Sequence, residues 1–137
     1  EINIKIPAGI QNGEVIRMAG EGEALPGGTP GDLYIKLHVT SDKHIKREGH
    51  NLFRAVPVKL TDALLGATYD IETLDGMTAV NIPAGVQNGD VLKIKEKGVP
   101  HGSNRRGDFE LRIKVETPTK LTRKAKKLVE ELKEEGI

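Results

Sequence analysis

The chain has 137 residues, with 21 basic and 20 acidic side chains and a formal net charge of +1. Charges of both signs are interspersed, so the sequence lacks the basic stripe of a nucleic-acid or anionic-membrane binder, and we predict neither partner. The absence of cysteine excludes disulfides, thiolate zinc sites and a cysteine nucleophile within these residues. Aromatic residues make up only 3% of the chain, so Ile, Val and Leu must fill its core.

The first elements in chain order are strands. Residues 2–6 alternate apolar and polar side chains, which predicts a half-buried strand that ends at Pro7. After an Asn-Gly turn, residues 15–18 form a second predicted strand. Residues 20–31 are rich in glycine and proline and are predicted as a loop, and residues 33–39 resume the alternation of a strand.

A twelve-residue phrase of the first segment recurs later in the chain. Residues 6–17 read IPAGIQNGEVIR and residues 82–93 read IPAGVQNGDVLK, an offset of 76 with eight of the twelve positions identical. The same offset relates Asp32 to Asp108. Residues 2–41 and 78–117 are therefore two copies of one structural unit, here called the first copy and the second copy. Two copies are too few for a solenoid and favour paired small domains.

Between the copies the sequence predicts a linker and further short elements. Residues 41–51 are polar and charged and are predicted as the domain linker. A strand at 52–56 is expected to end at Pro57, and residues 61–66 read as one helical turn capped by Thr61. Asp75-Gly76 then predicts a β-hairpin. Counterparts of residues 51–77 in the first copy would fall upstream of Glu1, so we expect this chain to be a fragment.

The last segment, residues 122–135, is predicted as a helix with a narrow apolar stripe that includes Leu128 and Leu132. Its basic residues lie at the N-terminal half and its acidic residues at the C-terminal half. Each charge so placed against the helix dipole costs about 0.3–1 kcal/mol at low salt. The stripe must therefore pack on something, either the domain of its own chain or the same helix of a second chain.

The sequence offers no catalytic constellation, and we predict that the protein is not an enzyme. The histidines lack metal-ligand spacing and are interpreted as solvated surface residues: His38, His44, His50 and His101. The carboxylates Glu21 and Glu23 become Lys97 and Val99 in the second copy, which argues against an acid–base pair. Asp32 and its counterpart Asp108 occur in both copies, as expected of carboxylates that cap turns.

Six different short motifs follow one another in a recognisable order along the chain, at residues 6–13, 20–23, 31–34, 46–49, 63–66 and 73–76. In this order the chain resembles the C-terminal client-binding region of DnaJ-type co-chaperones, the forty-kilodalton heat-shock proteins. The resemblance extends over essentially the whole chain. It implies an all-β fold of two tandem small β-sandwich subdomains of duplicated origin, at residues 1–42 and 43–117. A dimerisation helix at residues 118–137 would follow them.

The resemblance also implies how such a chain would act. Family members hold unfolded, apolar-rich polypeptides by strand addition at the first subdomain, where a client side chain enters an apolar pocket. The pocket positions fall on Ile2 and Ile35, and we add Ile4, Leu33 and Leu37 from the alternation. The helix would form a homodimer through its apolar positions: Leu121, Ala125, Leu128, Val129 and Leu132.

The same resemblance implies a cytoplasmic stress-response protein that delivers clients to a DnaK-type ATPase. It implies no cofactor in these residues, since the family's zinc belongs to an upstream cysteine-rich module. Two alternatives are kept. The first alternative is that the chain is a structural, dimerising scaffold piece without client binding of its own. The second is that it is a hydrolase, for which the sequence offers no set of catalytic residues.

Overall fold

The computed structural model describes residues 3–22, 28 and 30–137, and these residues form ten strands and two helices. In chain order they are β1 Val15–Met18, β2 Leu33–Lys36, β3 Lys46–Glu48, β4 Asn51–Lys59, α1 Leu60–Leu65, β5 Ala67–Thr73, β6 Gly76–Ile82, β7 Val91–Ile94, β8 Pro100–His101, β9 Arg105–Arg106, β10 Phe109–Glu116 and α2 Arg123–Glu134.

The strands form four small sheets. β1 pairs with β2, β5 with β6 and β8 with β9, each pair antiparallel, and a four-stranded sheet has the order β3-β4-β10-β7. The predicted all-β fold with a C-terminal helix is confirmed. The chain divides into two compact units, Glu1–Arg54 with Lys93–Leu111 and Ala55–Leu92 with Arg112–Ile137. The subdomain limits at residues 42 and 117 stay a prediction.

The two copies repeat the hydrogen bonds of their turns at the same sequence offset. The side-chain oxygen of Asn12 accepts the Val39 N–H at 2.8 Å, and that of Asn88 accepts the Val115 N–H at 2.9 Å. The amide N–H groups of the next glycines donate across the same turn at 2.8 Å, from Gly13 to Leu37 and from Gly89 to Ile113. Both glycines have positive φ, which a side chain disfavours.

The predicted capping role of the two shared aspartates is confirmed. Asp32 accepts the Gly20 N–H at 3.2 Å, and Asp108 accepts the Glu96 N–H at 3.1 Å. Each bond closes the turn that follows the strand at the end of the repeated phrase, which is β1 in the first copy and β7 in the second. The carboxylate satisfies a turn amide that would otherwise lack a partner.

The described hydrophobic core lies outside the first copy. Its members are Leu52, Val56, Val58, Ala63, Ile71, Ile82, Val86, Val99, Phe109, Leu111 and Ile113. Among them Phe109 and Leu111 are 0% exposed. Their counterparts Leu33 and Ile35 in the first copy are only half-buried. The same strand is thus covered in one copy and partly open in the other.

The strand predicted at residues 2–6 is not formed over the described residues 3–6. The counterpart of this segment lies in β6, where β5 supplies the hydrogen-bonding partner. A lone extended segment has no ladder to stabilise it, and among the described residues no strand pairs with residues 3–6. Ile2 and most of the predicted loop at 20–31 lie outside the described residues.

Two predicted ends of elements are wrong. β4 continues through Pro57 to Lys59. β3 pairs only with residues 51–53, so β4 has an open side beyond them, where a missing N–H is tolerated. Helix α1 begins at Leu60 without a side-chain cap from Thr61, whereas Gly66 ends it with φ 85° as predicted. Within the predicted linker, residues 46–48 form β3.

Tyr69 joins β5 to α1. Its hydroxyl donates to the Asp62 carboxylate at 2.5 Å and accepts the Lys59 N–H at 3.3 Å. The bond to the negatively charged carboxylate, assisted by burial, raises the pKa of Tyr69 above its ordinary value of 10.0. This hydroxyl therefore supports the start of α1, which Thr61 leaves uncapped.

Truncation at one equivalent position in each copy tests the unequal burial. Leu111→Ala leaves a cavity in the core, and we expect the free energy of unfolding to fall by about 3 kcal/mol. Ile35→Ala removes a half-buried side chain and should cost less than about half as much. Urea unfolding followed by circular dichroism measures both, and equal losses would contradict the asymmetry.

The Tyr69 bond makes a prediction about alkaline pH. Because the folded-state pKa lies above the unfolded value, the stabilisation is fully present below about pH 10 and is lost as pH rises through the folded pKa. We expect the stability difference between the wild type and Tyr69→Phe to be constant from pH 7 to about 9 and to shrink above about 10. Urea midpoints at a series of pH values test this, and a difference that grows with pH would refute it.

Candidate functional site

The two-stranded sheet β1–β2 carries an apolar face. Cross-strand partners in this sheet include Ile16 with Ile35 and Met18 with Leu33. Partners that lie opposite each other point to the same side, and side chains two residues apart share a face. The half-buried residues Ile16, Met18, Leu33, Ile35 and Leu37 are therefore defined as the first-copy apolar face.

The other face of this sheet is turned to solvent. Val15 is 55% exposed and Tyr34 is 63% exposed, and the remaining side chains there are the charged Arg17 and Lys36. The half-buried and exposed residues alternate strictly along both strands. An apolar ligand would therefore find its surface on one side of the sheet only.

The outer edge of β2 is open among the described residues. The Leu37 N–H donates to the Glu14 carbonyl oxygen at 2.8 Å, so Leu37 directs its backbone groups toward the side of β1. In an antiparallel ladder the backbone groups of successive residues point to alternate sides of the strand, so Ile35 also directs its groups toward β1. Tyr34 and Lys36 direct theirs to the opposite side, where the described chain supplies no strand.

The second copy shows what such an edge accepts. Its counterpart of β2 is β10, which lies between β7 and β4 in the sheet. β7 corresponds to β1, so β4 occupies the side that is open on β2. With that neighbour in place, Phe109, Leu111 and Ile113 are at most 2% exposed. The first-copy edge therefore has the geometry to accept one more extended segment.

An ion pair fixes the end of the β1–β2 sheet. The Arg17 guanidinium binds the Asp32 carboxylate, with Nε donating to Oδ2 at 2.7 Å. The second copy keeps the pair as Lys93 and Asp108, whose Nζ and Oδ2 are 3.9 Å apart. Arginine provides two donors in a fixed plane and so holds its strand more firmly than lysine.

Arg47 on β3 anchors the repeated phrase of the first copy. Its guanidinium donates to the carbonyl oxygens of Gly9 at 2.8 Å, Ile10 at 3.1 Å and Gly49 at 2.7 Å. Gly9 has no room for a side chain, because a Cβ atom there would lie 2.2 Å from the Pro100 carbonyl oxygen. These contacts fix the segment that leads into β1.

The predicted client-binding residues are only partly brought together. Leu33, Ile35 and Leu37 share the first-copy apolar face, whereas Ile4 lies outside any strand and is 39% exposed. Ile2 lies outside the described residues, so the role assigned to all five stays a prediction. Sequence reasoning missed Ile16 and Met18, because the long segment between β1 and β2 does not fix which of their residues lie opposite each other.

Helix α2 leaves its apolar stripe uncovered in the single chain. Thr122 caps the helix by accepting the Ala125 N–H at 3.1 Å, and no residue of α2 is buried. Ala125 is half-buried, and the other predicted dimer positions are 42–50% exposed: Leu121, Leu128, Val129 and Leu132.

The histidines are arranged differently from the prediction in one respect. His38, His44 and His50 are exposed, but His101 is half-buried and stacks on His50 with ring centroids 4.1 Å apart. Across residues 3–22, 28 and 30–137, no group of three or more His, Cys, Asp or Glu side chains is placed to hold a metal ion. Nor does this part of the chain contain a helix long and apolar enough to cross a membrane.

The fold and these sites define a duplicated all-β module with an open, apolar strand edge and a C-terminal helix. The family model of the DnaJ C terminal domain matches residues 1–118, and the chain belongs to this family. The resemblance seen in the sequence motifs is thereby confirmed.

Curated relatives agree with this assignment. The chain is 46% identical over 136 residues to the Chaperone protein DnaJ of Zymomonas mobilis, covering 97% of the chain and 36% of the relative. It is 47% identical over 132 residues to that of Caldicellulosiruptor bescii, covering 95% and 34%. With the protein of that name from Brevibacillus choshinensis it shares 42% identity over 136 residues, covering 98% and 36%. The chain thus spans about a third of the length of these relatives.

Proposed function

We propose that this chain is the client-binding and dimerising region of a non-enzymatic co-chaperone. It holds unfolded, apolar-rich polypeptide segments and delivers them to a DnaK-type ATPase in the cytoplasm. The observation that carries this proposal is the half-buried apolar face of β1–β2 beside the open edge of β2. The relatives named Chaperone protein DnaJ support the chaperone role. The proposal needs no cofactor in these residues, and zinc would belong to an upstream module.

The proposed mode of binding is strand addition. A client segment forms main-chain hydrogen bonds with Tyr34 and Lys36 at the edge of β2, which makes binding tolerant of sequence. One client side chain packs against the apolar face around Ile35, which selects apolar segments. Burying a Leu-sized side chain is worth about 1.5–3 kcal/mol, and the cost of association offsets much of it. The complex is therefore weak and exchangeable, as a holding factor requires.

A fluorescent, apolar-rich peptide titrated into the chain tests this site. We expect saturable binding that Ile35→Asp abolishes, because a carboxylate on the apolar face is costly to desolvate. Val15→Asp is the matched control, since it adds the same charge to the exposed face of the same sheet and should leave binding unchanged. The same peptide N-methylated at every residue should also fail to bind, because it lacks the main-chain donors.

Three results would count against this mode of binding. Equal losses in Ile35→Asp and Val15→Asp would show that charge, and not the apolar face, controls affinity. Full binding of the methylated peptide would rule out strand addition. If the folded wild type binds no peptide at all, the chain is the structural scaffold piece instead. Circular dichroism of each variant confirms that the fold is retained.

The proposed dimer forms through α2. Its uncovered apolar stripe needs a partner, and the charges favour an antiparallel one. The N-terminal half is basic and the C-terminal half acidic: Arg123, Lys124, Lys126 and Lys127 against Glu130, Glu131, Glu134 and Glu135. Antiparallel packing would place each basic half beside the partner's acidic half and offset the unfavourable dipole within each helix.

Sedimentation equilibrium tests the dimer. Leu128→Gln combined with Leu132→Gln removes two of the five apolar interface positions at little cost in helix propensity, and we expect a monomer. Lys114→Gln combined with Glu116→Gln changes two exposed side chains of β10 without altering net charge and should leave the dimer intact. A stable dimer of the leucine variant would place the interface elsewhere.

A further inference from the structure

A basic cleft lies beside the β8–β9 hairpin, and none of its lining residues belongs to the apolar face of β1–β2. Its volume is about 570 Å³, and its lining includes four cationic side chains and one carboxylate: Lys95, Lys97, Arg105, Arg106 and Glu96. The whole chain carries a net charge of only +1, so this is a local concentration of positive charge. Composition averaged over the chain gave no sign of it.

The duplication shows that the framework around this cleft does not require these cations. At the equivalent positions the first copy has no cation: Ala19, Glu21, Thr29 and Pro30. Yet both copies form the same backbone bond at 2.8 Å, from Gly22 to Gly31 and from Gly98 to Gly107. The aspartate caps at Gly20 and Glu96 are likewise shared. The cations are an addition that the shared turn does not need.

One of the cations has a fixed orientation. Arg106 donates from Nε at 3.2 Å and from Nη2 at 3.0 Å to the Gly98 carbonyl oxygen and is only half exposed. This bond holds the guanidinium at the wall of the cleft, so its charge is ordered before any ligand arrives. A preordered guanidinium loses less conformational freedom on binding than a mobile lysine does.

The size and charge of the cleft indicate its ligand class. Four cationic side chains and one carboxylate line a volume of about 570 Å³, which suits a ligand that carries several negative charges in a small space. A chain of phosphate groups does so, and arginine is suited to phosphate oxygens. Glutamates of an acidic peptide spread one charge per residue, and a nucleic acid needs a longer basic track. We propose that this cleft binds an oligophosphate group.

Calorimetric titration with tripolyphosphate tests the proposal on the full chain. We expect saturable, one-to-one binding that weakens as salt is added. The combined variant Lys95→Ala, Lys97→Ala and Arg105→Ala should bind about tenfold more weakly. The matched control Lys5→Ala, Lys43→Ala and Lys114→Ala removes the same number of positive charges at exposed positions outside the cleft lining and should bind like the wild type.

A variant that is expected to bind more tightly distinguishes a loss of binding from a loss of folding. Glu96→Gly removes the one carboxylate and installs the glycine that the first copy has at this turn, where φ is 77° for Gly20 and 61° for Glu96. We expect about threefold tighter binding of tripolyphosphate. Ile35→Asp should leave this affinity unchanged, so the result is independent of the proposed client site.

Competing ligands identify the source of the phosphate chain. Equal affinities for tripolyphosphate and ATP would assign the site to the phosphate chain alone, and tighter binding of ATP would assign it to a nucleotide. Both results support the cleft as an oligophosphate site. Tighter binding of hexaglutamate or of oligothymidylate, equal weakening in both triple variants, or no saturable binding by the folded wild type would overturn the proposal.

Discussion

The structure depends on the need to cover one apolar strand face that the chain contains twice. In the second copy the core closes over this face, and Phe109 and Leu111 lose all contact with solvent. The neighbouring strand β4 occupies the edge of β10 at the same time. In the first copy Leu33 and Ile35 hold the same positions, but they are half-buried and the described chain places nothing beyond β2. A half-buried apolar face beside backbone groups that no described strand pairs with is the physical basis of the proposed client site.

The duplication also separates what the fold requires from what was added to it. Both copies share the Asn-Gly turn, the aspartate cap and the cation paired with that aspartate, so these belong to the framework. The cations around the β8–β9 hairpin occur in one copy only and lie on an otherwise common turn. Internal duplication therefore supplies a control within a single chain. A feature found in both copies is read as structural, and a feature confined to one is a candidate for a separate function.

Helix α2 presents the same problem of coverage in another form. Its cap is sound, since Thr122 accepts an N–H of the first turn, yet its stripe stays exposed and its charges oppose its dipole. Packing of the amphipathic face normally supplies most of the stability of a short helix. The helix therefore gains from a partner that buries Leu128 and Leu132 and brings acidic side chains to its basic end. The proposed antiparallel pairing meets both needs with one contact.

The sequence alone determined the duplication, the β-rich class, the capping aspartates and the C-terminal helix, because each follows from local periodicity, turn chemistry or identity at a fixed offset. Tertiary structure decided the rest. Residues 3–6 alternate like a strand but pair with no strand of the described chain, and β4 passes through Pro57 because β3 pairs with only its first three residues. Which segments meet in space decides whether Leu33 and Ile35 are core or surface. It also decides that the cations of residues 95–97 and 105–106 line one cleft. Local pattern cannot specify this, because burial and charge density are properties of neighbours distant in sequence.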